Sequence, residues 1–125
     1  MTTPEQVADN LQTFRSFRPL SLKEKELVAE VSRRIKQRTR NGCTGCAYCM
    51  PCPFGVNIPQ NFHIWNELAM DGNKGNAKQA YFKDLTEKER ADQCHECGKC
   101  EEVCHQGLSI LENLKEVSKE METLK

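Results

Sequence analysis

The chain has 125 residues, 38% hydrophobic and 6% aromatic, with eight cysteines and a formal net charge of zero. This length admits one small domain and excludes a large enzyme barrel; so few aromatics predict a thin core, held by something besides packing, such as bound metal. Overall neutrality without a recognised binding motif argues against nucleic acid as a partner. No apolar run approaches the length of a membrane span, and the polar start MTTPEQVADN lacks the apolar stretch of an export signal. The expectation is a cytoplasmic chain with reduced thiols and no membrane attachment.

In chain order, Thr3-Pro4-Glu5-Gln6 predicts a helix start, with Thr3 as N-cap and Gln6 reaching back; Val7, Leu11 and Phe14 share one face. Pro19 interrupts it. Ser21-Leu22-Lys23-Glu24 forms a second capping box and opens a helix to about residue 38, with Leu27, Val28, Val31 and Ile35 as its stripe and Gly42 as a left-handed cap. Five cations (Arg33, Arg34, Lys36, Arg38, Arg40) fall between Val31 and Gly42 with no acid. They read either as a solvated helix face or as a dock for an anionic partner, with Glu101–Glu102 as an acidic counterpart further on.

Pro51, Pro53, Gly55 and Pro59 keep residues 50–59 out of helix. Helices are expected over residues 60–70, ended by Asp71-Gly72, and over 76–85. A third capping box lies at Thr86–Glu89 and a fourth at Ser109–Glu112. The last opens a helix with Ile110, Leu114, Val117, Met121 and Leu124 in a heptad-like seam, facing either the domain's own core or a second copy. No alternating β-branched run suggests a strand. The fold class expected is all-α. Residues 1–40 read as a linker-like helical segment packing on a module formed by residues 41–125.

All eight cysteines lie in two motifs about fifty residues apart: Cys43, Cys46, Cys49, Cys52-Pro53, and Cys94, Cys97, Cys100, Cys104. Three thiols separated by two residues let one short loop wrap three corners of a [4Fe–4S] cube, with loop amides aimed at sulfur. Gly45 and Gly98, each beside the second cysteine of its motif, suit that close approach. In two-cluster ferredoxins the fourth cysteine of each run ligates the other cluster. Applied here, Cys43, Cys46, Cys49 and Cys104 hold one cluster, and Cys94, Cys97, Cys100 and Cys52 the other. Three alternatives stand beside two [4Fe–4S] clusters. Disulfides suit an exported chain but not thiols three apart. Zinc usually takes two cysteine pairs across a longer spacer. A [3Fe–4S] or lone cluster would fit the first motif, which is one residue shorter before its last cysteine.

CTGCAYCMPCPFGVNIP followed by CHECGKCEEVC resembles the C-terminal ferredoxin-type domain of a bacterial and archaeal group of aldo/keto reductases, and MTTPEQVADNLQTF resembles the segment joining barrel to ferredoxin module there. The resemblance implies an α-helical ferredoxin fold, two [4Fe–4S] clusters on the eight matching cysteines, and electron transfer for an aldo/keto reductase-type barrel or another redox partner protein. The barrel, with its nucleotide site and catalytic residues, has no counterpart here, so no residue is expected to act as acid, base or nucleophile. Where the family's second motif ends Cys-Pro, this chain has Cys104-His105. His105 reads as a solvent-facing substitution or as a titratable donor near a cluster. Tyr48 is expected to shield a cluster from water. Trp65, Tyr81 and Phe82 are expected in the core, with an electron path as the sharper reading; His63 and His95 have no ligand pattern. Competing readings are a zinc- or cluster-stapled interaction module and an iron–sulfur redox sensor.

Overall fold

The computed structural model describes residues 2–125. Among them every regular element is helical, as expected: α1 (Pro4–Arg15), α2 (Leu22–Arg38), α3 (Ile58–Asp71), α4 (Lys74–Gln79), α5 (Lys99–Glu102) and α6 (Ile110–Glu122), with a π-helical turn at Ala80–Asp84 and 3-10 turns at Glu87–Glu89 and Ala91–Gln93. The chain forms two compact units, one ending at Arg34 and the other spanning Ile35–Lys125.

In the first unit, Thr3 Oγ1 accepts the Gln6 N–H at 3.4 Å, but the Gln6 carboxamide takes the Thr2 N–H at 2.8 Å, one residue before the predicted partner. The second capping box forms in both directions: Glu24 N–H donates to Ser21 Oγ at 3.3 Å and Ser21 N–H to Glu24 Oε2 at 2.8 Å. The Arg18 guanidinium reaches the same carboxylate at 2.8 Å and, ahead of the Ser21 bonds, holds the Glu24 pKa down at about 2. The predicted apolar stripes are present, yet neither α1 nor α2 buries a residue; Phe14 is 75% exposed.

The second unit carries the core. Ile58, Phe62, Ile64, Trp65 and Leu68 recur at helical spacing on α3, and Ile110, Leu114, Val117 and Met121 on α6; both sets are buried in one cluster. The heptad-like seam of α6 is therefore internal, with Leu124 partly buried at its end. α3 begins at Ile58, two residues before the expected start, because Pro59 falls in the first turn, where its missing N–H is no loss. Asn57 Oδ1 accepts the Gln60 N–H at 3.4 Å. The helix ends at left-handed Gly72, whose N–H returns to Leu68 at 2.9 Å, as the Asp71-Gly72 signal predicts.

Three local expectations are corrected. Gly42 is not a left-handed cap: α2 stops at Arg38, and the Arg40 and Asn41 N–H groups turn to Asn66 Oδ1 on α3 at 2.9 and 3.0 Å. The helix expected over residues 76–85 starts at Lys74 and widens into a π turn at Ala80, which places Tyr81 in the core. The Arg90 guanidinium ties off the carbonyls of Tyr81 and Phe82 there, at 3.1 and 2.8 Å. Ser109 makes no side-chain cap; Glu101 Oε1, from α5, takes the Leu111 N–H at 2.9 Å instead. The Thr86–Glu89 box does form, with Thr86 N–H donating to Glu89 Oε2 at 2.9 Å, but it opens only a 3-10 turn.

Tyr81 Oη accepts the buried Ala91 N–H at 3.1 Å, joining the π turn to the segment that enters the second cysteine motif. Burial, then nearby Asp92, pushes its pKa up to about 12. Tyr81→Phe leaves that N–H without a partner and is expected to cost about 1–3 kcal/mol, measured by chemical denaturation.

Candidate metal centres

The first cysteine loop is pinned at both ends and the second at its approach. Upstream of the first, Arg40 pairs with Glu120 at 3.2 Å and its guanidinium carbon lies 5.6 Å from the Trp65 ring centre, while Trp65 Nε1 donates to Glu120 Oε2 at 2.7 Å. Residue 40 is thereby tied to both α3 and α6. Downstream, Asn57 N–H donates to the Glu89 carbonyl at 3.0 Å, and Asn61 Nδ2 bonds both the Asn57 and the Glu89 carbonyls at 2.7 Å. The exit of the first loop and the approach to the second thus share one hydrogen-bonded junction.

Within the loops the two motifs repeat each other. The residues flanking the second cysteine are left-handed in both: Gly45 and Ala47 around Cys46 (φ 70° and 61°), Glu96 and Gly98 around Cys97 (φ 54° and 79°). Only one of each flanking pair is glycine, so Ala47 and Glu96 hold a backbone that L-residues avoid at a cost of about 1–2 kcal/mol. Cys46 and Cys97 are the exposed thiols of their motifs; the other six are partly buried, and all six rest against the hydrophobic core. Every cysteine is a free thiol, which removes the disulfide alternative.

The fourth cysteines lie across the motifs. Cys104 stands close enough to the first loop that it acts on Cys49 together with Cys43 and Cys46; burial first, then those three charges, raises the Cys49 pKa. Cys52 lines a hollow of about 150 Å³ with Cys94, Cys97 and Cys100, and Cys49 borders the same space. Burial, then Cys94 and Glu101, pushes the Cys100 thiol up to about 11. Thiols so placed resist joint ionisation until a cationic centre sits among them. Gly45 N–H donates to Cys43 Sγ at 3.5 Å, so one loop amide already points at sulfur.

Two contacts escaped sequence reasoning. Tyr48 packs on His105 with ring centres 4.7 Å apart, and Phe54 stacks on His95 at 4.1 Å and 15°. Each joins an aromatic of the first motif to an imidazole of the second, over an exposed edge. Their signal was positional: each histidine directly follows a cysteine of the second motif, and both aromatics lie within two residues of a cysteine of the first. Trp65 and Tyr81 are core residues as expected, Phe82 is partly buried, and His63 is exposed. Arg33 and Arg34 both bond Glu30, at 2.8 and 2.7 Å, and Arg38 donates to the Met70 carbonyl at 3.2 Å. With Arg40 on Glu120, much of the basic run has partners within the chain.

Such a fold with two sets of four thiols defines an iron–sulfur, ferredoxin-type domain. Residues 42–108 match the family model described as a 4Fe-4S dicluster domain, and the chain belongs to that family. It carries two [4Fe–4S] clusters. No curated protein and no solved structure matches the chain. Free thiols in two groups of four and a loop amide aimed at sulfur fit that cofactor. One further buried atom does so: Asn41 Nδ2, beside the first loop, has no partner, a state that costs about 1–3 kcal/mol when left unrelieved. Among the described residues no helix is long and apolar enough to cross a membrane.

A Cβ on Gly98 meets nothing within 4 Å, so Gly98→Ala is penalised by backbone alone, whereas Ala47→Gly relieves a strained site. The first is expected to lose and the second to gain about 1 kcal/mol in denaturant unfolding. Equal effects of the same sign would contradict the duplicated loop geometry.

Proposed function

We propose that the chain relays single electrons for an aldo/keto reductase-type oxidoreductase, with Cys43, Cys46, Cys49 and Cys104 holding one cluster and Cys94, Cys97, Cys100 and Cys52 the other. The observation that supports this is that Cys104 is near enough to act on Cys49, and that Cys52 shares a hollow with Cys94, Cys97 and Cys100. A bound [4Fe–4S] cluster supplies a one-electron couple whose potential its surroundings tune. The residues of this chain supply the rest. Six thiols seated on the core keep the two sets at a fixed separation. Met50, Val56, Ile58 and Leu114 line the hollow beside Cys52 and give it an apolar wall. Tyr48 with His105 and Phe54 with His95 cover the outer edge, where a partner protein would approach. No side chain is required to move a proton.

The aldo/keto reductase assignment rests on the resemblance of CTGCAYCMPCPFGVNIP, CHECGKCEEVC and the N-terminal segment to that family's C-terminal module. The attached or separate barrel would be the electron donor or acceptor.

Single-cysteine variants test the ligation. Cys52→Ala is expected to damage the same spectroscopic centre as Cys97→Ala, and Cys104→Ala the same centre as Cys46→Ala, in electron paramagnetic resonance of anaerobically prepared, reduced protein. Cys52→Ala grouping with Cys46→Ala contradicts the crossed assignment. The partner is tested by mixing dithionite-reduced protein with an aldo/keto reductase barrel and following reoxidation. An unchanged rate removes the barrel as partner and leaves electron transfer standing; a chain that dithionite does not bleach removes both.

A further inference from the structure

We infer that the side-chain N–H of Asn41 donates a hydrogen bond to sulfur of the cluster held by Cys43, raising the reduction potential of that cluster above the value its thiols alone would set. The inference deepens the proposed function and rests on its assignment of Cys43.

Asn41 is 4% exposed and almost fully engaged. Its backbone N–H bonds Asn66 Oδ1 at 3.0 Å and its carbonyl accepts from Asn66 Nδ2 at 2.8 Å. Its Oδ1 accepts the Cys43 N–H at 2.8 Å. That last bond orients the carboxamide, because the flipped amide would set donor against donor. The remaining polar atom is Nδ2, buried without a partner. Nδ2 shares a carbon with Oδ1, so it stands beside the Cys43 amide at the entrance to the first loop.

A buried amide donor is seldom left unmade, and such an atom beside a cofactor site points to the group that completes it. The only thing missing is an acceptor. Thiolate and sulfide sulfur are acceptors, and Gly45 N–H already donates to Cys43 Sγ in the same loop. The second buried carboxamide with an orphaned atom makes the contrast. Asn61 has its Nδ2 bonded to the Asn57 and Glu89 carbonyls and its Oδ1 unpaired, the opposite polarity to the one an electron-rich sulfur would satisfy. A donor at sulfur favours the more negative, reduced state, and this fixes the sign of the effect. Asn66, which grips Asn41 from α3 through both backbone groups, acts one step further out by holding the donor in place.

The test uses the full chain, prepared anaerobically with asparagine carrying ¹⁵N in the side-chain amide only. Pulsed electron paramagnetic resonance of the reduced protein is expected to show a ¹⁵N coupling to one of the two clusters. The coupling should vanish in Asn41→Asp, which keeps an oxygen to receive the Cys43 N–H and puts a second, charged oxygen in place of the donor. Redox titration of the neutral variant Asn41→Ala is expected to show one midpoint shifted downward and the other unmoved, with iron and sulfide content retained. Should Asn41→Ala lose a cluster, the Asn41→Asp spectrum still decides. No ¹⁵N coupling in the parent chain, or one that persists in Asn41→Asp, overturns the assignment. A reduced sample with no cluster signal overturns the underlying reading as well.

Discussion

The constraint on which this structure depends is that four thiols must surround each inorganic group while one short loop supplies only three. On the proposed ligation each loop obtains its fourth thiol from the other, some fifty residues away in sequence. That requirement dictates the rest. On that ligation Cys104 reaches the first loop and Cys52 the second, which needs the motifs side by side, with the exit of the first joined to the approach to the second. The junction of Asn57, Asn61 and Glu89, and the Arg40–Trp65–Glu120 contact ahead of the first loop, are the protein's means of fixing that juxtaposition. The core formed by α3 and α6 is small, and six cysteines are seated on it. On the proposed ligation metal binding and folding are coupled, since cross-links through iron would join segments that few apolar contacts hold together.

Duplication explains why the loops look alike and where they differ. Both motifs place left-handed residues on either side of an exposed second cysteine, but glycine precedes Cys46 and follows Cys97. Each loop has relieved one strained position and kept the other. The aromatic–imidazole pairs have the same logic, each joining one motif to the other over an outer edge. His105 is exposed and in contact with Tyr48, in the turn that the Gly107 N–H closes on the Cys104 carbonyl at 3.0 Å.

Much of this was legible in the residues. Cysteine spacing carried the cofactor and the ferredoxin type of the domain, and the α6 periodicity carried the core, because both are local patterns with one dominant cause. Gly72 and the Ser21–Glu24 box were readable for the same reason. Misreadings arose where tertiary partners displaced a local signal. Glu101, from α5, took the Leu111 amide in the first turn of α6, where Ser109 makes no side-chain cap. Asn66 drew off the backbone after α2 and made a cap at Gly42 unnecessary. Tyr81 and Arg90 stabilise a π turn that no period-3.6 pattern foretells. The apolar faces of α1 and α2 were visible in the sequence, and in the structure they stay exposed.

The account stands on two iron–sulfur groups per chain, and quantitative iron and acid-labile sulfide analysis of oxygen-free protein measures that most directly. The prediction is about eight of each per chain, two clusters of four. Zinc in place of iron, or a well-folded chain with negligible iron and sulfide, would contradict it.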